Sequence, residues 1–88
     1  MKIRLFGNTE CESCIYAFVI INKAQINCEY IDALDEDEDI QNLCDEYDVD
    51  DLPYIQFLND NNDIVIDHVG EISEDEFINY LANYFPNY

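Results

Sequence analysis

The sequence has very few basic residues. Only three of its 88 residues are Lys or Arg, against 21 Asp or Glu, and the formal net charge is −18. The basic residues, Lys2, Arg4 and Lys23, all lie near the beginning of the chain. A field this negative repels nucleic acid and anionic membranes, so we exclude both as direct partners. It favours a protein partner with a basic docking face, or it serves only solubility and salt tolerance.

The sequence also lacks a long apolar segment and a secretory signal. Its longest apolar run, residues 15–21, is too short for a membrane-spanning helix, and residues 1–7 lack the length and cleavage site of a signal peptide. Hydrophobic residues still make up 49% of the chain, which predicts a single folded domain over residues 1–88. We expect a cytoplasmic monomer, and in that reducing compartment paired cysteines are more often catalytic or metal-binding than structural.

Hydrophobic periodicity predicts seven elements in the order β-α-β-α-β-β-α. The strands are expected over residues 2–6, 28–33, 54–58 and 64–69, and the helices over about 11–25, after the acidic run 35–39, and after Ser73 until Pro86. A helix crossover makes the first two strands parallel, and the Asn- and Asp-rich turn 59–63 makes the last two a hairpin. The expected fold is α/β, a four-stranded mixed sheet with three helices on its two faces.

Apolar spacing predicts which helical residues face the core. The expected core positions are Ile15, Phe18, Val19, Ile21 and Ala24 in the first helix, Ile40, Leu43, Cys44 and Tyr47 in the second, and Phe77, Ile78, Leu81, Tyr84 and Phe85 in the third. Ser73 and Glu76 have the spacing of a capping box at the start of the third helix. Cys28 and Cys44 are expected to be small buried hydrophobes.

Cys11 and Cys14 form a C-x-x-C motif where the first strand turns into the first helix. A thiol at a helix N-terminus faces free backbone N–H groups and the positive end of the helix dipole, which favour its thiolate. A second thiol three residues later lies one helical turn away and can close a small disulfide. This spacing and position indicate a redox pair.

Together with residues 47–53 and residues 67–70, this motif resembles the thioredoxin superfamily, in a short form, over nearly the whole chain. The resemblance implies a thiol–disulfide oxidoreductase that reduces protein disulfides, in which Cys11 attacks and Cys14 resolves the mixed disulfide. It implies a cis-proline at Pro53 and a Leu52 backbone that pairs with an extended substrate. It also places Glu12, Ser13, Tyr54 and Gly70 at the substrate-binding surface, and it puts Leu5 where the family has a buried acid.

The resemblance implies no bound cofactor beyond the redox-active disulfide itself, with electrons supplied by a thioredoxin-reductase-type enzyme or another dithiol. A specialised form would donate electrons to one enzyme, such as a ribonucleotide reductase. One alternative is a glutathione-dependent glutaredoxin, which the absence of a paired glycine at Gly70 and Glu71 disfavours. Another is a non-catalytic acidic docking or metal-carrier module.

Acidic residues surround the cysteine motif in the sequence. Glu10 and Glu12 flank Cys11, and Asp48, Asp50 and Asp51 are expected to approach it through the loop before Pro53. Like charges disfavour a thiolate, so we expect a reducing couple. His68 is expected to lie away from the cysteines. A zinc site that adds Cys28 and Cys44 is conceivable, but these two lack the second C-x-x-C spacing typical of such sites.

Overall fold

The computed structural model describes residues 1–87 and contains the seven expected elements in the expected order. The strands are β1 (Lys2–Gly7), β2 (Cys28–Asp32), β3 (Tyr54–Leu58) and β4 (Ile64–Val69), and the helices are α1 (Glu12–Lys23), α2 (Glu38–Glu46) and α3 (Glu74–Tyr84). The predicted bounds agree to within one or two residues. The first strand extends to Gly7, and α1 ends before Gln25, whose φ of 59° takes the chain out of the helix.

The four strands form one mixed sheet in the order β2-β1-β3-β4. β1 pairs in parallel with β2, and β3 pairs antiparallel with both β1 and β4, as the sequence predicted. In the β3–β4 hairpin, the Asn59 side chain accepts hydrogen bonds from the backbone of Asn61 and Asp63, and Asn62 has a positive φ. The predicted turn is therefore confirmed by its hydrogen bonds.

Apolar side chains pack against both faces of the sheet. On one face, α1 and α3 bury Ala17, Ile21 and Phe77 against Leu5 and Phe57. On the other face, Cys44 of α2 packs with Phe6, Ile31 and Tyr54. The predicted three-layer arrangement, with helices on both faces, is confirmed, and β3 lies at its centre with all five residues buried.

Some predicted core positions in α1 and α3 are wrong. Ile15 and Val19 are 48% and 54% exposed, and Ile78 and Tyr84 are also exposed. Ala24 is exposed because it lies at the end of α1. The residues that α1 buries are Cys14, Ala17, Ile20 and Ile21. Periodicity alone placed the apolar face too far around the helix because α1 is apolar on more than one side.

The helix starts have the expected capping residues. In α3, Ser73 and Glu76 exchange side-chain-to-backbone hydrogen bonds of 3.1 Å, so the capping box is confirmed. In α2, Asp37 is the N-cap and accepts from the backbone N–H groups of Asp39 and Ile40. The acidic run therefore starts the helix, as predicted, by satisfying amide groups that have no partner within the helix.

Candidate active site

Three strand ends lie at the same end of the sheet, next to the C-x-x-C motif. β1 ends at Gly7 and continues into the loop before Cys11, while β3 begins directly after Pro53. Tyr54 pairs with Phe6 on one side and with Val69 on the other, and the Gly70 N–H donates to the Pro53 carbonyl over 2.8 Å. The register therefore brings the cysteine turn, Pro53 and Gly70 to the same end of the molecule.

Cys11 is the N-cap residue of α1. Its extended backbone precedes the helix, and its sulfur accepts the Cys14 backbone N–H at 3.2 Å. A further bond from the Cys11 N–H to the Asn8 carbonyl fixes the turn. A sulfur in this position replaces the side-chain oxygen of an ordinary cap, and its negative form is stabilised by the N–H groups of the first turn. Cys11 is also partly exposed, so a disulfide can reach it.

Cys14 has the opposite environment. Its side chain is fully buried one helical turn below Cys11, and both residues are free thiols. Burial, followed by the hydrogen bond to the Cys11 sulfur, raises the pKa of the Cys14 thiol to about 11, while a backbone hydrogen bond from Asn8 acts in the opposite direction. A partly exposed sulfur suited to attack thus lies beside a buried thiol that stays protonated near neutral pH.

Gly7 allows β1 to pass close beneath the buried cysteine. A Cβ atom at this position would lie 3.0 Å from the Cys14 Cβ, 3.3 Å from the Cys14 sulfur and 2.8 Å from the Tyr30 hydroxyl oxygen. Neither Gly7 nor Tyr30 was singled out from the sequence. The sequence predicted that β1 pairs in parallel with β2, but it did not predict the register. In the structure this register places Tyr30 beside Leu5.

The residues around Pro53 differ in their exposure. The peptide bond between Leu52 and Pro53 is cis, Pro53 is buried, and the Leu52 side chain packs against the cluster around α2. Tyr54, which the resemblance places at the substrate surface, is only 7% exposed, and its hydroxyl donates to Asp67 at 2.9 Å. The Tyr54 side chain packs with the same cluster and also lines a hollow, so its contact with a substrate stays a prediction.

Ser13 connects the cysteine turn to the segment after β4. Its hydroxyl donates to the Glu71 carboxylate at 3.1 Å. The Glu71 carbonyl oxygen accepts from Nε2 of His68, because a carbonyl cannot donate, and Nδ1 of the same ring accepts from the Tyr80 hydroxyl. His68 is thus linked to the motif through Glu71, a residue that sequence reasoning considered as a departure from a glycine pair.

A cavity of about 600 Å³ opens beside the motif. Its lining includes Glu12, Ser13, Glu71 and Glu76, together with the Tyr16 ring. Asp48, Asp50 and Asp51 instead line a separate hollow with Tyr54 and Asp67, and Cys11 is not part of that lining. Glu12, Glu71 and Glu76 thus place three carboxylates around the cavity beside Ser13, and Cys11 lines neither opening.

The other two cysteines lie in the strand and helix where the sequence placed them. Cys44 is buried in α2, and Cys28 is half-buried in β2. Burial raises the pKa of both thiols, that of Cys28 to about 11. Within residues 1–87, no three His, Cys, Asp or Glu side chains come together as a metal-binding group.

None of the helices within residues 1–87 has the length and apolar character needed to cross a bilayer.

Solved structures with the same architecture are thioredoxins and thioredoxin-like proteins. Thioredoxin 1 from Thermosipho africanus superimposes with a TM-score of 0.74 at 22% identity, covering 98% of this chain and 96% of that one. A mutant thioredoxin from Halobacterium salinarum superimposes with a TM-score of 0.75 at 22% identity, covering 93% of this chain and 72% of that one. Oxidised thioredoxin O2 from Arabidopsis thaliana superimposes with a TM-score of 0.72 at 16% identity, covering 94% of this chain and 74% of that one. This chain has the thioredoxin fold.

At these identities the likeness establishes the thioredoxin fold alone. Neither a protein-family model nor a curated protein matches the sequence. The order β2-β1-β3-β4 and the three helices agree with the architecture of those thioredoxins, as the sequence resemblance led us to expect.

Proposed function

We propose that the protein is a thiol–disulfide oxidoreductase that reduces protein disulfides through Cys11 and Cys14. The observation that carries the proposal is the asymmetry of the two thiols. Cys11 is an accessible N-cap sulfur that accepts a backbone N–H, whereas Cys14 is buried one turn below it. Exchange requires a reachable thiolate and a second thiol close enough to resolve the mixed disulfide, and this arrangement supplies both.

The reaction proceeds in two exchanges. The Cys11 thiolate attacks one sulfur of the substrate disulfide, forming a mixed disulfide and releasing the first substrate thiolate, which takes up a proton from solvent. Cys14 then loses its proton to solvent and attacks the Cys11 sulfur. The electron pair of the broken bond leaves on the second substrate sulfur, which is protonated in turn. The products are a dithiol substrate and a disulfide between Cys11 and Cys14.

The neighbourhood of the motif supports a polypeptide as the substrate. Pro53 and Gly70 lie at the same sheet end, and the Leu52 backbone lies outside the β3 ladder, which begins at Tyr54. An extended segment could pair with this backbone by strand addition. The carboxylates of Glu12, Glu71 and Glu76 favour a substrate or partner whose contacting face is basic.

No bound cofactor is needed in this proposal, because the disulfide itself carries the two electrons. A separate enzyme of the thioredoxin-reductase type, or another dithiol, would return the oxidised form to the dithiol. The like charge of the acids near the motif favours a reducing couple. We propose a cytoplasmic monomer that serves one or a few protein substrates, with a ribonucleotide reductase as one example of the kind of acceptor.

Insulin reduction with dithiothreitol as the electron source tests the proposal. We expect the wild-type protein to accelerate precipitation of the reduced chains and the Cys11→Ser variant to fall to the dithiothreitol background. Cys28→Ala is the matched control, since it removes a thiol that lies outside the motif, and it should keep wild-type activity. A wild-type rate equal to that of Cys11→Ser would contradict the proposal and redirect attention to metal content.

A further inference from the structure

The second exchange requires a thiolate at a buried position. Cys14 must be a thiolate when it attacks, yet it is fully buried and its pKa is raised to about 11. On β1, the residue in register with Tyr30 is Leu5, whose buried side chain is apolar and cannot stabilise a charge. A buried thiolate without a donor is costly, so a group that donates to the forming charge would speed this step.

The Tyr30 hydroxyl lies where such a donor is needed. Its oxygen is 2.8 Å, and the Cys14 sulfur 3.3 Å, from the single point that a Cβ of Gly7 would occupy. Because Gly7 has no side chain, no atom of this residue fills the space beside both groups. Tyr30 also interacts electrostatically with both motif thiols. The phenol oxygen and the buried sulfur therefore both border the space beside Gly7.

The neighbours of Tyr30 hold its ring and keep its proton in place. The ring packs edge-on against Phe18 of α1 at 5.4 Å between centroids. Burial first, and then the charges of Cys14 and Asp32, raise the pKa of the phenol, with smaller contributions from Cys11 and Cys28. Asp32 already accepts the Leu34 backbone N–H. The hydroxyl thus remains an O–H donor at neutral pH.

We propose that the Tyr30 hydroxyl donates a hydrogen bond to the Cys14 sulfur as this thiol becomes a thiolate and resolves the mixed disulfide. The proton of Cys14 passes to solvent, the Cys14 sulfur bonds to Cys11, and the electron pair leaves on the substrate sulfur, which is then protonated. Tyr30 keeps its own proton throughout. The inference rests on the proposed function and assigns Tyr30 to its second step, leaving the attack by Cys11 unaffected.

The test separates the two steps with an aromatic disulfide. In stopped flow, 5,5′-dithiobis(2-nitrobenzoate) should release one thionitrobenzoate when Cys11 attacks and a second when Cys14 resolves. Cys14→Ser assigns the second phase, because slower reactions of Cys28 and Cys44 persist in that variant. Tyr30→Phe keeps the ring against Phe18 and removes only the hydroxyl. Tyr84→Phe, which alters an exposed phenol of α3, is the matched control.

We expect Tyr30→Phe to slow the second phase about tenfold, as for the loss of a hydrogen bond to a charged group, and to move its pH midpoint upward by about one unit. The first phase should stay within about twofold of wild type, and Tyr84→Phe should change neither. An unchanged second phase, or equal slowing of both phases with unmoved midpoints, overturns the assignment of Tyr30. A wild-type protein without a second phase overturns the proposed function and this inference together.

Discussion

At the scale of single residues, the two motif cysteines show how position along a helix decides chemistry. Cys11 occupies the cap, where its sulfur accepts an N–H, and Cys14 lies in the third helical position with its side chain under the turn. The residue type is the same in both cases. What differs is access to solvent and to the amide groups of the first turn, and these two factors govern thiol reactivity.

Alkylation should follow this difference. At pH 7 we expect iodoacetamide to label Cys11 first, because Cys14 and Cys28 have pKa values of about 11 and remain protonated. The thiolate fraction of a thiol increases tenfold per pH unit below its pKa, so labelling of Cys28 should rise steadily from pH 8 to 10. Peptide mass spectrometry of timed samples measures each site.

The Cys11→Ser variant provides the control for this labelling. It should lose the fast reaction at pH 7 while Cys28 keeps the same pH profile, since Cys28 lies in a different element. Labelling of Cys28 as fast as that of Cys11 at pH 7 would contradict the assigned environments.

At the scale of elements, a row of polar side chains crosses the sheet on the face that α2 covers. Arg4 lies beside Glu29 of β2 and Gln56 of β3, and Gln56 lies beside Asp67 of β4. Arg4 donates to Gln56 at 3.0 Å and approaches Glu29 at 3.5 Å, while Tyr54 links Gln56 to Asp67. We call these five residues the polar ladder. It satisfies Gln56, which is fully buried.

Replacement of Arg4 tests the ladder. Arg4→Leu leaves the buried Gln56 amide oxygen without its donor, so we expect a loss of about 1–3 kcal/mol in the free energy of unfolding. Lys2→Leu is the matched control, because Lys2 lies in the same strand and approaches the same Glu29 at 3.9 Å but is more exposed. Its loss should stay below about 1 kcal/mol, as for a surface ion pair. Urea unfolding measures both.

Equal losses in the two variants would contradict the role of the ladder, because they would show only the removal of a charge near Glu29. A loss confined to Arg4→Leu would assign the effect to the buried amide.

The same elements show what could be read from the sequence and what could not. The C-x-x-C motif, the turn residues 59–63 and the Ser73 cap are local signals, and they correctly predicted the start of α1, the hairpin turn and the start of α3. The register of β2 against β1 is a long-range property, so the meeting of Tyr30 with Cys14 had no local signature. The α1 face was misplaced because a helix apolar on several sides does not indicate which side packs.

At the scale of the whole molecule, the negative charge of 21 acidic residues is opposed by only three basic residues. Each of the three basic side chains lies within 4.0 Å of a carboxylate, Lys2 and Arg4 near Glu29 and Lys23 near Glu74. The remaining carboxylates repel one another across a domain whose Cα radius of gyration is 12.4 Å. Separations on this scale are comparable to the Debye length in dilute salt, so the repulsion acts across the whole fold.

Added salt should therefore stabilise the protein. We expect the urea midpoint to rise between low ionic strength and about 1 M sodium chloride, where the Debye length falls to about 3 Å. Urea is used because guanidinium chloride would itself screen the charges. Sucrose at matched osmolality is the control for nonspecific stabilisation. A midpoint that falls or stays constant with salt would show that repulsion does not limit stability.

The polar ladder also affects which register β3 adopts against its neighbouring strands during folding. β3 is buried along its whole length, so alternation of polar and apolar residues cannot tell its two faces apart. Gln56 is its one polar residue, and a shift by one position would turn that amide toward Leu5, Ala17 and Phe77 with no partner. A single glutamine in an otherwise apolar strand thus penalises misaligned sheets and favours the one alignment in which Arg4 meets it.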